Sequence, residues 1–512
     1  LIQISAKHRI IGAPVTAQLA NLFPQAQRTP DNKMLLINHG IDETRLLRNL
    51  GLDVPGPIYG YDFEGGTPFA IQKKTADMFT MNRRAYCLNG MGTGKTKSAL
   101  WAWRYLNRLG LAKKLLVVAP LSTLNFTWAK EIFQTLPGVK SQTLYGDKDR
   151  RLKRLADMEA DVYIINHDGV NTIMNELMLR TDIDTVILDE LAVYRNGQAT
   201  RTKNIRKVVE KKKYVWGMTG SPTPNAPTDA WAQCTVVTPD SVPKSFNRFR
   251  DATMTKITNF KYAPKPGALD TVFAVMQPAV RFTLDDVMEL PELVERDVEV
   301  EMGPKQAKVY QEMERHAIAG IAGQEINAMN AGAVLNKLLQ ISCGYVYTRD
   351  HQTIPLDNDA RLVALVDAVN ATDRKVLVFV PFVHALKAVS ERLTREGYDV
   401  RTVSGDTPRG ERDSIFNLFQ NTGMVKVVVA HPQCMAHGLT LTAADTIIWF
   451  APMTNLEIFE QANARIRRIG QKHKQLVLMF SATKAEKKMY QKLRAKQKVQ
   501  NLLLDLYAEA TE

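Results

Sequence analysis

Cysteine is scarce, with only Cys87, Cys234, Cys343 and Cys434 in 512 residues. They are far apart and show no ligand spacing. That argues against a disulfide framework or a zinc cluster and fits free thiols in a reducing cytoplasm. Long apolar runs are missing as well. None approaches the roughly 18 residues of a membrane helix, so no membrane partner is expected. The opening Leu-Ile-Gln-Ile-Ser-Ala-Lys is too short and too polar for a secretory signal. No repeats or low-complexity tracts appear, which leaves out repeat architectures. Acidic residues are outnumbered, 53 against 67 Lys and Arg, for a formal net charge of +14. This imbalance favours a polyanionic partner, with nucleic acid first.

What is present is a globular composition, 45% hydrophobic and 23% charged. The chain exceeds a single core, so two to four domains are expected. Residues 1–57 read as a small accessory domain, closed by the turn-rich Val54-Pro-Gly-Pro57. From 58 to 232, short Val- and Ile-rich runs alternate with helical patterns: Ala85–Leu88, Leu115–Ala119, Val162–Asn166, Thr185–Leu188 and Tyr214–Met218. Such runs are buried parallel strands of an α/β sheet. The rhythm breaks over 233–355, where helical patterns at Pro304–Ile321 and Asn327–Ile341 predict an inserted helical region. It returns over 356–481 with Val376–Val380, Val400–Val403, Val425–Ala430, Thr446–Phe450 and Leu476–Phe480. A charged amphipathic helix, Lys484 to Tyr507, closes the chain as a brace over 482–512.

Asn89-Gly-Met-Gly-Thr-Gly-Lys-Thr96 lies between an apolar strand and a helical pattern. Glycines at 90, 92 and 94 let backbone N–H groups converge on phosphate oxygens, and the helix start adds its positive dipole end. Lys95 would neutralise the outer phosphates and the Thr96 hydroxyl would hold magnesium. Asn89 stands where the strict pattern has glycine. Asp189 and Glu190 end the apolar run Val186-Ile-Leu188, the place for a metal-facing carboxylate and a water-polarising one. Arg465 and Arg468, three apart in Gln461–Gln471, would share one face if helical and could stabilise charge on a transferring phosphoryl group.

Taken in order, these segments resemble a superfamily 2 helicase-like ATPase of the Swi/Snf type. The likeness runs over about 65–475 and is carried by Pro68–Phe79, residues 89–96, Ala119-Pro-Leu-Ser-Thr-Leu124 with Trp128 and Glu131, Asp189-Glu-Leu-Ala192, Thr219–Asn225, Gly438–Ala444 and Gln461–Gln471. The resemblance implies two tandem RecA-like parallel-sheet lobes, with a helical insertion between them and a small N-terminal domain. It also implies ATP and Mg2+ as cofactors, Gln72 as the adenine reader, and Arg465 and Arg468 as the second lobe's share of the ATPase site. Ser122, Asn166 and His167 match first-lobe contacts to a DNA backbone; Phe382, His431 and Thr442 match second-lobe contacts. This chain departs from the family at Ala192, where His is usual, at Asn89-Gly90, and at Thr440, where Asn is typical. The compact form is similar to short phage or bacterial members, acting as a monomer in the (host) cytoplasm.

The leading expectation is an ATP-driven motor tracking along double-stranded DNA. Its phosphate contacts would be drawn from Arg83, Arg84, Arg150, Arg151, Lys153, Arg154, Lys203, Arg206 and Lys211–Lys213. One alternative is a branched-DNA helicase that uses residues 1–57 to read forks and junctions. Another is a DNA-binding scaffold on a non-motor ATPase fold, against which Lys95, Glu190 and Arg468 argue.

Overall fold

A computed structural model describes residues 2–258, 262–284, 286, 291–323, 328–347, 353–435, 440–468 and 470–495. The chain forms two compact units, Leu1–Met288 and Glu289–Glu512.

The first unit opens with a small antiparallel sheet of β1 (Gln3–Ser5), β2 (Ile10–Pro14), β3 (Gln27–Arg28) and β4 (Met34–Asn38), ordered β1-β2-β4-β3. It has its own core of Ile11, Leu35, Ile37 and Leu47. Arg48 docks this sheet onto the helix Ala70–Met81. Its guanidinium donates to Val54 O at 2.8 Å and to Asp77 Oδ2 at 2.7 Å. Burial pushes the Asp77 carboxyl up, with the Arg48 charge opposing.

The main sheet of this unit contains β5 (Arg84–Cys87), β6 (Lys114–Ala119), β7 (Ser141–Leu144), β8 (Val162–Asn166), β9 (Ile183–Asp189) and β10 (Tyr214–Met218). After a short hairpin of β11 (Met254–Lys256) and β12 (Tyr262–Pro264), β13 (Ala279–Val280) returns to its edge. All seven strands are parallel, in the order β13-β5-β10-β9-β6-β8-β7. Helices pack on both faces, around Leu116, Ile165 and Leu188 on one and Leu100, Trp103 and Trp216 on the other.

The second unit has a six-stranded parallel sheet of β14 (Leu293–Glu299), β17 (Lys375–Phe379), β18 (Val400–Val403), β19 (Val427–Ala430), β20 (Ala444–Trp449) and β21 (Gln475–Ser481). Its order is β14-β21-β20-β17-β19-β18, and a hairpin, β15 (Tyr345–Tyr347) with β16 (Thr353–Pro355), lies outside it. Residues 233–355 fall partly in each unit. Their first part supplies β13 to the first sheet, and their second part supplies β14 and the helices Pro304–Gly323 and Ala328–Ser342 to the second unit. β14 escapes a reading of apolar runs because its sequence, Leu-Val-Glu-Arg-Asp-Val-Glu, is that of an edge strand with a charged face. Helix Lys484–Arg494 satisfies those charges: Arg494 pairs with Asp297 at 2.7 Å and Lys487 with Glu299 at 2.6 Å. Its Met489, Tyr490 and Leu493 enter the core. The rest of the closing helix expected as far as Tyr507 lies outside the described residues. Among the described residues, no helix is long and apolar enough to cross a membrane.

Candidate functional site

The candidate site of the first unit lies at the C-terminal end of its sheet, where crevices beside parallel strands bind ligands. Cys87 of β5, Met218 of β10 and Asp189 of β9 are register partners across three adjacent strands. Two strand spacings therefore separate the glycine loop from the acidic pair, about 9–10 Å.

Gly92 and Gly94 have φ of +76° and +79°, the left-handed region that side chains disfavour. Gly94 caps the helix Lys95–Arg108, so its neighbours' N–H groups point out of the helix start. A Cβ at Gly94 would stand 2.0 Å from Gln72 Nε2, so glycine is what keeps this approach open. Gln72 is buried there and accepts a bond from Phe69 N at 2.9 Å through Oε1. The Lys95 ammonium reaches back into the loop and donates to the carbonyls of Asn89 and Gly90, each at 2.9 Å. Thr96 follows as the second helical residue, half-buried.

Asn89 has a job that glycine could not do. Its Nδ2 donates to Thr75 Oγ1 at 3.0 Å and its Oδ1 accepts from Phe282 N at 2.9 Å. Gly90 N donates to Phe282 O at 2.7 Å, so the loop is stitched to the segment after β13. That stitching explains a departure from the strict phosphate-loop pattern.

Asp189 Oδ2 accepts from the Trp128 indole N–H at 2.9 Å, and Oδ1 from Glu190 N at 3.1 Å. Burial pushes this carboxyl up, while the Trp128 bond and the Lys95 charge pull it back. Glu190 has φ of +53°, a conformation a non-glycine residue rarely holds and one that concentrates at working sites. The sequence marked Trp128 only as part of a motif; its hydrogen bond to a residue 61 positions away had no local signal. The donor set fits a nucleoside triphosphate with magnesium: N–H groups at a helix start, an ammonium, a hydroxyl and two carboxylates.

Several predicted contacts have other duties. His167 is buried, its Nδ1 2.9 Å from Tyr194 Oη, so its ring does not face outward. Asn166 Oδ1 accepts from Arg151 at 3.1 Å, and Arg151 also bonds Leu144 O and Gly146 O. Arg84 donates to Val237 O and Val209 O, Arg154 to Thr143 O, and Lys212 to Arg180 O. These four cations tie the lobe together, which a charge count cannot reveal. Arg83, Arg150, Lys153, Lys203, Lys211, Lys213 and Ser122 are exposed.

In the second unit, helix Leu456–Asn463 ends before the two arginines, so they do not share a helical face. Arg465 is buried and its Nε donates to Gln461 O at 2.8 Å. Arg468 is half-buried, donating to Ala464 O at 3.0 Å and to Thr440 Oγ1 at 3.3 Å. Burial pushes its guanidinium down to about 10. The unusual Thr440 is thus an arginine acceptor. Thr442 Oγ1 accepts from Gln420, and His431 Nε2 lies 3.1 Å from Pro381 O, with burial lowering its pKa. Phe382 packs against both hydrophobic clusters of this unit. Gly438 lies outside the described residues.

The family model for the SNF2-related domain matches residues 80–343, and that for the helicase conserved C-terminal domain matches 359–470. A putative protein p41 of Acyrthosiphon pisum secondary endosymbiont phage 1 is 27% identical over 76% of this chain and 85% of its own length. An uncharacterized ATP-dependent helicase of Mycoplasma pneumoniae is 24% identical over 75% of this chain, which spans only 36% of that protein. The SWI2/SNF2 ATPase core of Sulfolobus solfataricus, solved with double-stranded DNA, aligns over 88% of this chain and 94% of its own at 22% identity and a TM-score of 0.43.

Proposed function

Because the chain belongs to the SNF2-related family of superfamily 2 helicase-like ATPases, we propose that it is an ATP-driven motor that moves along double-stranded DNA. The observation carrying this reading is that the loop after β5, whose Gly92 and Gly94 hold left-handed backbone, and the Asp189-Glu190 pair ending β9 lie at the same end of one sheet, two strand spacings apart. Bound Mg2+·ATP would supply the phosphoanhydride whose cleavage drives motion. Gly90, Gly92 and Gly94 shape the cradle, and Lys95 neutralises the phosphates. Thr96 and Asp189 would hold the metal, Glu190 would polarise the attacking water, and Gln72 would read the base. Arg465 and Arg468 would, as the family resemblance implies, stabilise charge on the transferring phosphoryl group. The DNA grip comes from exposed cations such as Arg83, Arg150 and Lys203, together with Ser122.

ATP hydrolysis measured with duplex DNA, single-stranded DNA, forked DNA and RNA tests this reading. Stimulation greatest with duplex, and falling steeply with salt, is the expected result. Equal rates with and without every DNA would overturn the motor. A marked preference for forks over plain duplex would favour the branched-DNA reading.

A further inference from the structure

We propose that Trp128 is a positioning residue for the Asp189 carboxylate and thereby sets the affinity of the ATPase site for its magnesium ion. This rests on the ATPase reading, in which Asp189 faces the metal. Trp128 is fully buried, and its one polar atom donates to a carboxylate, Asp189 Oδ2, at 2.9 Å. With Glu190 N on Oδ1 at 3.1 Å, each carboxylate oxygen holds one donor and the group cannot rotate about its last bond without losing both. The remaining lone pairs are then aimed in a fixed direction, as hydrogen-bond partners behind a metal ligand do for carboxylates.

The backbone around Trp128 points the same way. Leu124–Ala129 is a π-helical turn, a widened turn that shifts the side-chain register and concentrates at functional sites. It lies between a 3-10 turn, Leu121–Thr123, and the helix Lys130–Thr135. From that helix Glu131 pairs with Lys97 at 3.4 Å, two residues beyond Lys95. One short segment thus grips both halves of the site, the acidic pair through Trp128 and the phosphate-loop helix through Glu131. The exposed Ser122 lies in the 3-10 turn that opens this segment. A tryptophan serving only the core would need neither the widened turn nor the bond to a carboxylate.

The test compares Trp128→Phe with the unaltered chain, using a fluorescent non-hydrolysable ATP analogue with Mg2+ and with EDTA. Affinity in EDTA should stay within about twofold, while the gain on adding Mg2+ shrinks about tenfold or more. The Mg2+ concentration for half-maximal DNA-stimulated hydrolysis should rise by a similar factor. An unchanged Mg2+ gain in the variant would overturn the proposal and leave Trp128 as core packing. No Mg2+ gain and no hydrolysis in the unaltered chain would instead overturn the ATPase reading beneath it. If the phenylalanine variant does not fold, benzothienylalanine at position 128 replaces the N–H with sulfur in the same bicyclic shape, and the same two outcomes decide.

Discussion

Set aside β13, and the two parallel sheets have the same strand order. Counted along the chain within each unit, both run first, sixth, fifth, second, fourth, third. They differ in the turn that leaves the first strand. After β5 comes the glycine loop and a helix whose start is open to phosphate. After β14 comes Gly303 and a helix beginning at Pro304, which has no N–H to offer. A Cβ on Gly303 would meet Asp357 Oδ2 at 2.5 Å, and Gly303 N donates to Gln306 Oε1 at 3.3 Å. The second unit sets a carboxylate and a capping amide at its helix start, whereas the first has the Gln72 amide beside Gly94 and a loop of left-handed glycines. A repeated topology thus carries a glycine loop after its first strand in one unit and a proline-started helix in the other.

The largest effect should come from the lysines at these two helix starts. Lys95→Ala should lower DNA-stimulated hydrolysis on the order of 10³–10⁵-fold, the scale for removing a cation that stabilises phosphoryl charge. Lys305, exposed at the second position of the helix after β14, is the internal control. Steady-state ATPase rates for Lys305→Ala within about twofold of the unaltered chain keep the asymmetry; a comparable loss would break it.

The units also differ in how they bury charge. The second encloses a full ion pair: Arg361 donates to both Glu486 oxygens at 2.9 Å, and to Phe450 O at 2.7 Å. Ser342 Oγ and Ala482 N also donate to Glu486. Helices from 328–342, 359–370 and 484–494 therefore converge on one carboxylate. Glu486→Gln keeps the shape and strands the guanidinium, costing about 3–5 kcal/mol. Hydrogen exchange of β17 and β20 peptides should accelerate while those of β5 and β9 hold. Uniform acceleration would show that the units do not unfold separately.

Much of this division was legible beforehand. The buried Val- and Ile-rich strands declared themselves because each face of a parallel sheet is covered, so apolar runs are continuous. Residues 89–96 and 189–190 declared themselves because their chemistry is local in sequence. The edge strand β14 stayed hidden because its charges are paired by a helix almost 200 residues later, such as Arg494 with Asp297. Arg84, Arg151 and Arg154 looked like surface cations because no pattern in the sequence signals that carbonyls at helix ends, for Arg84, or on and just after β7, for Arg151 and Arg154, will accept their N–H groups. The expected helical face for Arg465 and Arg468 failed where the helix stops at Asn463.

The smallest effect concerns the first unit's own buried cation, Lys212, whose hydrogen bonds go to carbonyls, Leu177 O at 3.2 Å and Arg180 O at 2.8 Å. Burial pushes its ammonium down to about 8 from an ordinary 10.5. The unfolded chain therefore holds this proton at pH values where the folded chain has released it. Between about pH 8 and 10.5 the unfolded state binds more protons, so this group's contribution to stability rises with pH; below 8 its full cost is present. Urea unfolding of the unaltered chain and of Lys212→Met, at pH 7.5, 9 and 10, should show the difference moving in favour of lysine. Partial solvent screening holds that movement to roughly 1–2 kcal/mol across the window. A flat difference would mean that the folded unit leaves the ammonium solvated. The same experiment on the second unit has the opposite expectation. Its buried cation is the Arg361 guanidinium, paired with Glu486 and protonated throughout this range, so its contribution should carry no alkaline slope.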